Sequence, residues 1–476
     1  MAAPFPDHPM LRGVFAPVFV EGESGELPVL GEVPPELHGT LYRNGPNPQF
    51  APRGHYHWFT GDGMVHAFRL EEGRVTYRNR WMRTPKFELE RAAGRALFGA
   101  FGNPAETDPA ARGKDFGVAN THVVHHAGRL LALEESHLPF AVDPITLESH
   151  GYHDFGGALP RTLEGRFTAH PKIDPGTGEL IGYSYSGSGL FGTRMSLIVV
   201  GPDGALTRQA FFDAPYCAFV HDFLVTERHV VFPVLPVVGS MERARAGGPP
   251  YAWEEGRPGY LGVVGREAPI ETMRWFEVEP CFVFHVFNAR SEGDKIFCDV
   301  MRTRCPFVFP DAEGRMPSPD SDVMPLPVRW TLDLGAASDV VRGETLAERP
   351  GEFPRYDERF TCRPYRHAFH ALAARPESEA VSGSHMSGVV HLDLATGRSA
   401  EWEAPEGDEL SEAVFVPRAP DAPEGEGWLL AVQYVARENR SDLLVFDAQD
   451  VAPGPIARAM LSHRVPAGFH GSWLPN

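Results

Sequence analysis

Four of the 21 histidines sit where an imidazole is hard to leave alone. His170 lies in Phe167-Thr168-Ala169-His170-Pro171-Lys172, and His221 in Phe219-Val220-His221-Asp222-Phe223. His285 lies in Phe282-Val283-Phe284-His285-Val286-Phe287, and His470 in Phe469-His470-Gly471-Ser472-Trp473, close to the end of the sequence. Apolar or aromatic residues flank each one, so each is expected to be buried. A buried imidazole must satisfy both ring nitrogens. A shared metal ion does so for all four at once, and neutral imidazole suits iron, zinc or copper. A histidine on its own is usually a surface or satisfied core residue. That reading is kept for His8, His38, His55, His125, His126, His150, His153, His229 and His463. No HxxxH-type spacing singles out the four. The argument rests on local context and on a wide separation, which suits a fold that brings one ligand from each of several units to a common axis.

The elements that must position them read as strands. With 49 Gly and 45 Pro in 476 residues, turns come often. Short β-branched and aromatic runs lie between them, among them 76–81, 129–133, 179–185, 196–200, 229–234, 295–300, 388–392, 428–432 and 443–447. This spacing predicts a large antiparallel all-β fold. A phrase of the form apolar-Asp-x-x-Thr-Gly recurs around Asp143, Asp174 and Asp393, with a partial copy at Asp447. It reads as a strand entering a tight turn with Asp capping backbone amides. Repeated hairpins of this kind suit a β-propeller, with a pair of two-sheet sandwiches as the competing arrangement. Helices are expected only over 86–98 and 240–246. No linker divides the chain, so 1–476 is read as a single domain.

Composition excludes several function classes. The formal net charge of -19 disfavours nucleic acid and anionic membrane as main partners, since both are bound through Lys/Arg patches. Five scattered cysteines without a CxxC pair argue against a secreted disulfide framework. Residues 1–9 lack the basic and apolar regions of a signal peptide, and no stretch reaches the length of a membrane span. The expected compartment is the cytoplasm, with room for no more than peripheral membrane contact. Oligomeric state is not legible.

Leu41-Tyr42-Arg43-Asn44-Gly45-Pro46-Asn47-Pro48, His221-Asp222-Phe223, Phe284-His285-Val286-Phe287-Asn288-Ala289, Phe415-Val416-Pro417-Arg418 and the terminal Phe469-His470-Gly471-Ser472-Trp473 together resemble the carotenoid cleavage oxygenase family. The resemblance is strongest to its branch of lignostilbene dioxygenases and isoeugenol monooxygenase, and it runs over nearly the whole chain. It implies a seven-bladed β-propeller, capped over one face by loops and short helices. On the axis it implies Fe(2+) held by His170, His221, His285 and His470. It also implies an outer set of carboxylates, Glu135, Glu352 and Glu412, behind three of the ligands, with His170 lacking one. The physical reason is independent of the family: carboxylates that accept the outer ring N–H fix the tautomer and return negative charge to a dry cation site. Thr121 matches a family threonine that overhangs the iron. Phe59, Phe101 and Phe307 match residues near the substrate, and Phe309 is a further candidate wall.

The activity implied is cleavage of a C=C bond of an apolar or aromatic alkene with O2, giving carbonyl products, without an organic cofactor. One departure stands out. Where cleavers of phenolic alkenes carry a Tyr and a Lys toward the phenol oxygen, this sequence has Phe101 and Glu134. A substrate lacking that hydroxyl, a long apocarotenoid, or a phenol held differently all remain open. Two other classes also remain open: a metal-free propeller that binds a partner, and a propeller hydrolase built on calcium or zinc with oxygen ligands.

Overall fold

The computed structural model describes residues 4–103, 105–317, 324–374 and 385–476. Strands dominate it, and the longer helices are Pro85–Ala93 and Met241–Arg245. The expected strands appear close to their expected limits, as Arg129–Leu133, Leu180–Ser184, His229–Val234, Lys295–Thr303, Met386–Asp393 and Arg440–Asp447. The turn phrase works as anticipated. Asp143 Oδ1 accepts from the amides of Ile145 and Thr146, Asp174 Oδ1 from Gly176, Asp393 Oδ1 from Ala395 and Asp447 Oδ1 from Gln449. The helix expected over 86–98 is shorter. Thr84 caps its start, and Gly94 ends it in the left-handed region, where glycine carries no Cβ penalty. Beyond that point the Glu90 carboxylate takes the amides of Leu97 and Phe98, which closes off further helix.

The chain folds as an all-β, propeller-like structure. Five sheets of four to six antiparallel strands stand apart, beside a two-stranded ribbon (Val237–Gly239 with Tyr251–Trp253) and one eight-stranded sheet. The expectation of seven separate blades is therefore corrected. The strand Arg274–Val278 pairs in parallel with Val340–Thr345 over two residues. That short pairing makes one continuous sheet out of two antiparallel meanders. The ends of the chain are tied together: Gly39–Pro46 pairs on one side with Gly63–Glu71 and on the other with Gly471–Pro475. The apolar C-terminal stretch is thus a sheet strand, and His470 enters the fold through it.

The sheets meet along their marginal strands. Gly471–Pro475 lies beside His122–His126, Leu224–Val225 beside Phe282–Glu292, Phe282–Glu292 beside Gly351–Tyr356, Gly351–Tyr356 beside Val414–Pro417, and Val414–Pro417 beside Gly471–Pro475. Side chains close the remaining seams. His122 Nδ1 meets the Ala169 carbonyl at 3.0 Å, and Lys172 Nζ donates to Asp222 at 2.7 Å. Exposed sheet margins are normally an aggregation hazard. Here they turn inward and form a ring.

Candidate metal centre

Each ligand candidate comes from this ring. His170 precedes the marginal strand Lys172–Ile173, His221 precedes Leu224–Val225, and His470 precedes Gly471–Pro475. His285 lies inside Phe282–Glu292, where the pairing register shifts between Val283 and Val286. Such a bulge re-aims a side chain that regular alternation would place elsewhere. The four rings converge: all are buried, and one nitrogen from each lies within 4.8 Å of the others. His221 Nε2 is 2.9 Å from His170 Nε2 and 3.1 Å from His285 Nε2.

The opposite ring nitrogens face carboxylates. His221 Nδ1 pairs with Glu135 Oε1, His285 Nδ1 with Glu352 Oε2 at 2.5 Å, and His470 Nδ1 with Glu412 Oε1 at 2.9 Å. His170 has no carboxylate within ion-pair distance among the described residues, while its own amide donates to Thr168 Oγ1. Further bonds hold the glutamates. Tyr185 donates to Glu135 Oε2 at 2.7 Å, the Gly471 amide and Arg355 hold Glu412, and the Phe353 amide donates to Glu352 Oε2. Phe353 sits at φ 56°, in a second register shift, between Glu352 and Arg355.

This arrangement tests whether a cation fits. With Nδ1–H donated outward, Nε2 of His221 and of His285 each present a lone pair. Two lone pairs 3.1 Å apart repel unless a positive centre lies between them. Burial pushes the rings of His170 and His470 well below the ordinary imidazole range, with the neighbouring histidines adding to the effect. They are therefore neutral and available as ligands at neutral pH. Burial lowers His285 as well, but the Glu352 carboxylate outweighs it and the net shift is upward. Four imidazole donors and no oxygen donor suit a borderline transition metal and not calcium.

The remaining expected residues fall less evenly. Thr121 borders the site: its carbonyl accepts from the His470 amide at 3.2 Å, and its hydroxyl donates to Asn120 Oδ1 at 3.1 Å. Phe59 packs edge-on against Phe469. Phe307 and Phe309 pack on Phe284, whose ring is edge-on to His221. Phe101 is 59% exposed and touches His57, which in turn touches Phe59. Glu134 is buried and occupied. It accepts from the Val118 amide and from Ser136, and it pairs with His137 at 2.7 Å. Burial pushes the Glu134 carboxyl up, but His137 and these hydrogen bonds hold it below the ordinary range.

Several site residues were not read from the sequence. The Phe353 ring lies 5.5 Å from His285 and 5.4 Å from His470, and the Phe219 ring stacks on His221. His122 lies against both His170 and His470, held down to about 3 by burial. The only signals for them were an aromatic neighbour one position from a site glutamate, one two positions from a ligand, and a histidine directly after Thr121.

Residues 15–475 match the family model for RPE65, retinal pigment epithelial membrane protein. The chain is 36% identical over 474 residues to isoeugenol monooxygenase of Pseudomonas nitroreducens, covering 98% of each. It is 38% identical over 485 residues to lignostilbene-alpha,beta-dioxygenase isozyme III of Sphingomonas paucimobilis, covering 99% of this chain and 98% of that one. The crystal structure of Pseudomonas brassicacearum lignostilbene dioxygenase superposes with a TM-score of 0.95 at 37% identity, over all of both chains. The converging histidines, their carboxylate partners and these matches together show that the chain belongs to the RPE65/carotenoid cleavage oxygenase family.

Proposed function

We propose that the protein is a non-heme Fe(2+)-dependent oxygenase that splits a C=C bond of an apolar conjugated alkene with O2. The reaction balances as R–CH=CH–R′ plus O2 giving R–CHO and R′–CHO, with no further reductant. The observation that carries this reading is the meeting of one nitrogen from each of four buried histidines, three of which turn Nδ1 toward a glutamate. When bound, ferrous iron supplies the activation of O2 that closed-shell side chains cannot. His170, His221, His285 and His470 would hold it, and Glu135, Glu352 and Glu412 would orient three of them. Thr121 borders the space beside the ligands. Phe59, Phe219, Phe284, Phe307 and Phe353 would bind the alkene by apolar contact and exclude water from the reacting carbons. Residues 1–476 act as one domain in this reading, supported by the pairing of Gly39–Pro46 with Gly471–Pro475.

The substrate class is a stilbenoid, phenylpropene or apocarotenoid, as the names of the relatives suggest. Within it, the fit favours a molecule without a phenolate to anchor. Phe101 offers no hydroxyl, and the Glu134 carboxylate is already committed to His137, Val118 and Ser136. Among the described residues, no helix is long and apolar enough to cross a membrane. A metal-free binding propeller gives no reason for facing Nε2 lone pairs, and a calcium centre would need oxygen donors.

Anaerobic loading with Fe(2+), followed by O2 and a panel of apocarotenals, stilbenes and phenylpropenes with and without a 4-hydroxyl, tests the proposal. Mass spectrometry should find two aldehydes per alkene consumed, at about one iron per chain. Failure to bind iron, or an iron-loaded protein inert toward the whole panel, overturns it.

A further inference from the structure

We infer that Asp222 is a positioning residue that sets three of the four histidines relative to one another. This inference rests on the metal reading above. Asp222 follows His221 directly and is buried. Its Oδ1 accepts from Lys172 Nζ at 2.7 Å and from the Phe223 amide at 2.8 Å. Its Oδ2 accepts from the Val286 amide at 3.1 Å. Lys172 stands two residues after His170, and Val286 directly after His285. One carboxylate thus joins the backbone or side chains of the segments that carry His170, His221 and His285. Those segments belong to two different sheets and to opposite margins of the eight-stranded one.

The geometry needs such a tie. The register of Phe282–Glu292 is broken on both sides of Val286, so regular ladder pairing does not fix the bulge that aims His285. His170 lacks the carboxylate that orients each of the other three rings. Lys172, anchored on Asp222 and lying over the Phe223 ring at 5.8 Å, fixes the strand start beside it. An aspartate suits this position because both oxygens accept. Asparagine offers one acceptor and one donor, so it severs either the Lys172 and Phe223 side or the Val286 side.

The test uses the full chain without metal, titrated anaerobically with Co2+ and followed by visible absorption and by urea unfolding of the metal-free protein. Wild type should bind about one Co2+; if it binds none, the metal reading itself fails and the comparison ends there. Asp222→Asn should weaken Co2+ binding by roughly 10- to 100-fold, as losses behind a ligand typically do. Its ligand-field bands should also shift, a change that lower fold stability alone does not produce. Lys172→Met leaves both backbone bonds to Asp222 intact and should weaken binding by a few fold, in the same direction. It decides the matter if Asp222→Asn does not fold. Co2+ affinity within twofold of wild type, with unchanged bands, in Lys172→Met and in any folded Asp222→Asn overturns the inference.

Discussion

Two groups of buried or partly buried histidines in this molecule invite comparison. One is the quartet in the ring of marginal strands. The other is the set His367, His370 and His391, inside the sheet that begins at Gly351. Both lie on strands or at their starts, among apolar residues. In the second set His367 Nδ1 meets His391 Nε2 at 2.9 Å, and His370 Nε2 meets the Arg349 carbonyl at 3.1 Å. Each ring makes one contact of this local kind, His370 Nδ1 is left without a hydrogen-bond partner, and burial holds His370 and His391 down to about 4. In the quartet the inner nitrogens face one another, and three of the outer ones face glutamates. Burial of a histidine therefore says little about its role. The direction of its two nitrogens decides: one nitrogen of each quartet ring points to a shared centre, whereas a carboxylate behind Nδ1 alone, as at His137, does not make a ligand.

The sharpest way to break this distinction is to remove one ring from each set. His285→Ala should abolish iron binding, because three imidazoles without the Glu352-backed donor leave the inner lone pairs unshared. His370→Gln should leave one iron per chain, since its amide can still donate to Arg349. Elemental analysis after anaerobic loading reads both. Full iron content in His285→Ala, or loss of iron in His370→Gln, would place the boundary between the two sets elsewhere.

A smaller effect isolates the carboxylate. Glu352→Gln preserves the shape behind His285 and removes its charge. Iron affinity should fall by roughly 10- to 100-fold, a typical loss for the residue behind a metal-bound histidine. Glu134→Gln serves as the contrast. Glu134 adjoins Glu135 in sequence but points to His137, not to a ligand, so iron affinity should hold near wild type. Competition with a chelator measures both.

The same contrast explains how much could be read in advance. The short strands, the Asp-capped turns and the absence of long helices follow from local chemistry, so periodicity and turn residues exposed them. The separateness of the blades did not, because the junction at Arg274–Val278 and Val340–Thr345 is a parallel pairing of only two residues, with no motif. The quartet was legible through its aromatic flanks and through resemblance. The direction of Glu134 was not. Glu134 and Glu135 lie just past the end of the strand Arg129–Leu133, in a turn where strand alternation no longer sets which way a side chain points. His57 was missed for a similar reason: only the fold places its ring between Phe59 and Phe101.

The least of these effects belongs to the second histidine set and appears in acid. In the folded protein His370 titrates near 4, against an ordinary 6.5 in the unfolded chain. Between those values the unfolded state binds the extra proton, so stability rises with pH there. The contribution is complete above about pH 6.5 and is lost as the pH falls toward 4, at up to ~1.4 kcal/mol per pH unit for one histidine. His370→Gln cannot take up that proton. Urea unfolding of the metal-free protein from pH 7.5 to 4.5 should therefore fall less steeply in the variant, with the two curves parallel above pH 7. Equal slopes across the acid range would mean that His370 is protonated in the fold, and the claim that burial keeps its ring neutral would be lost.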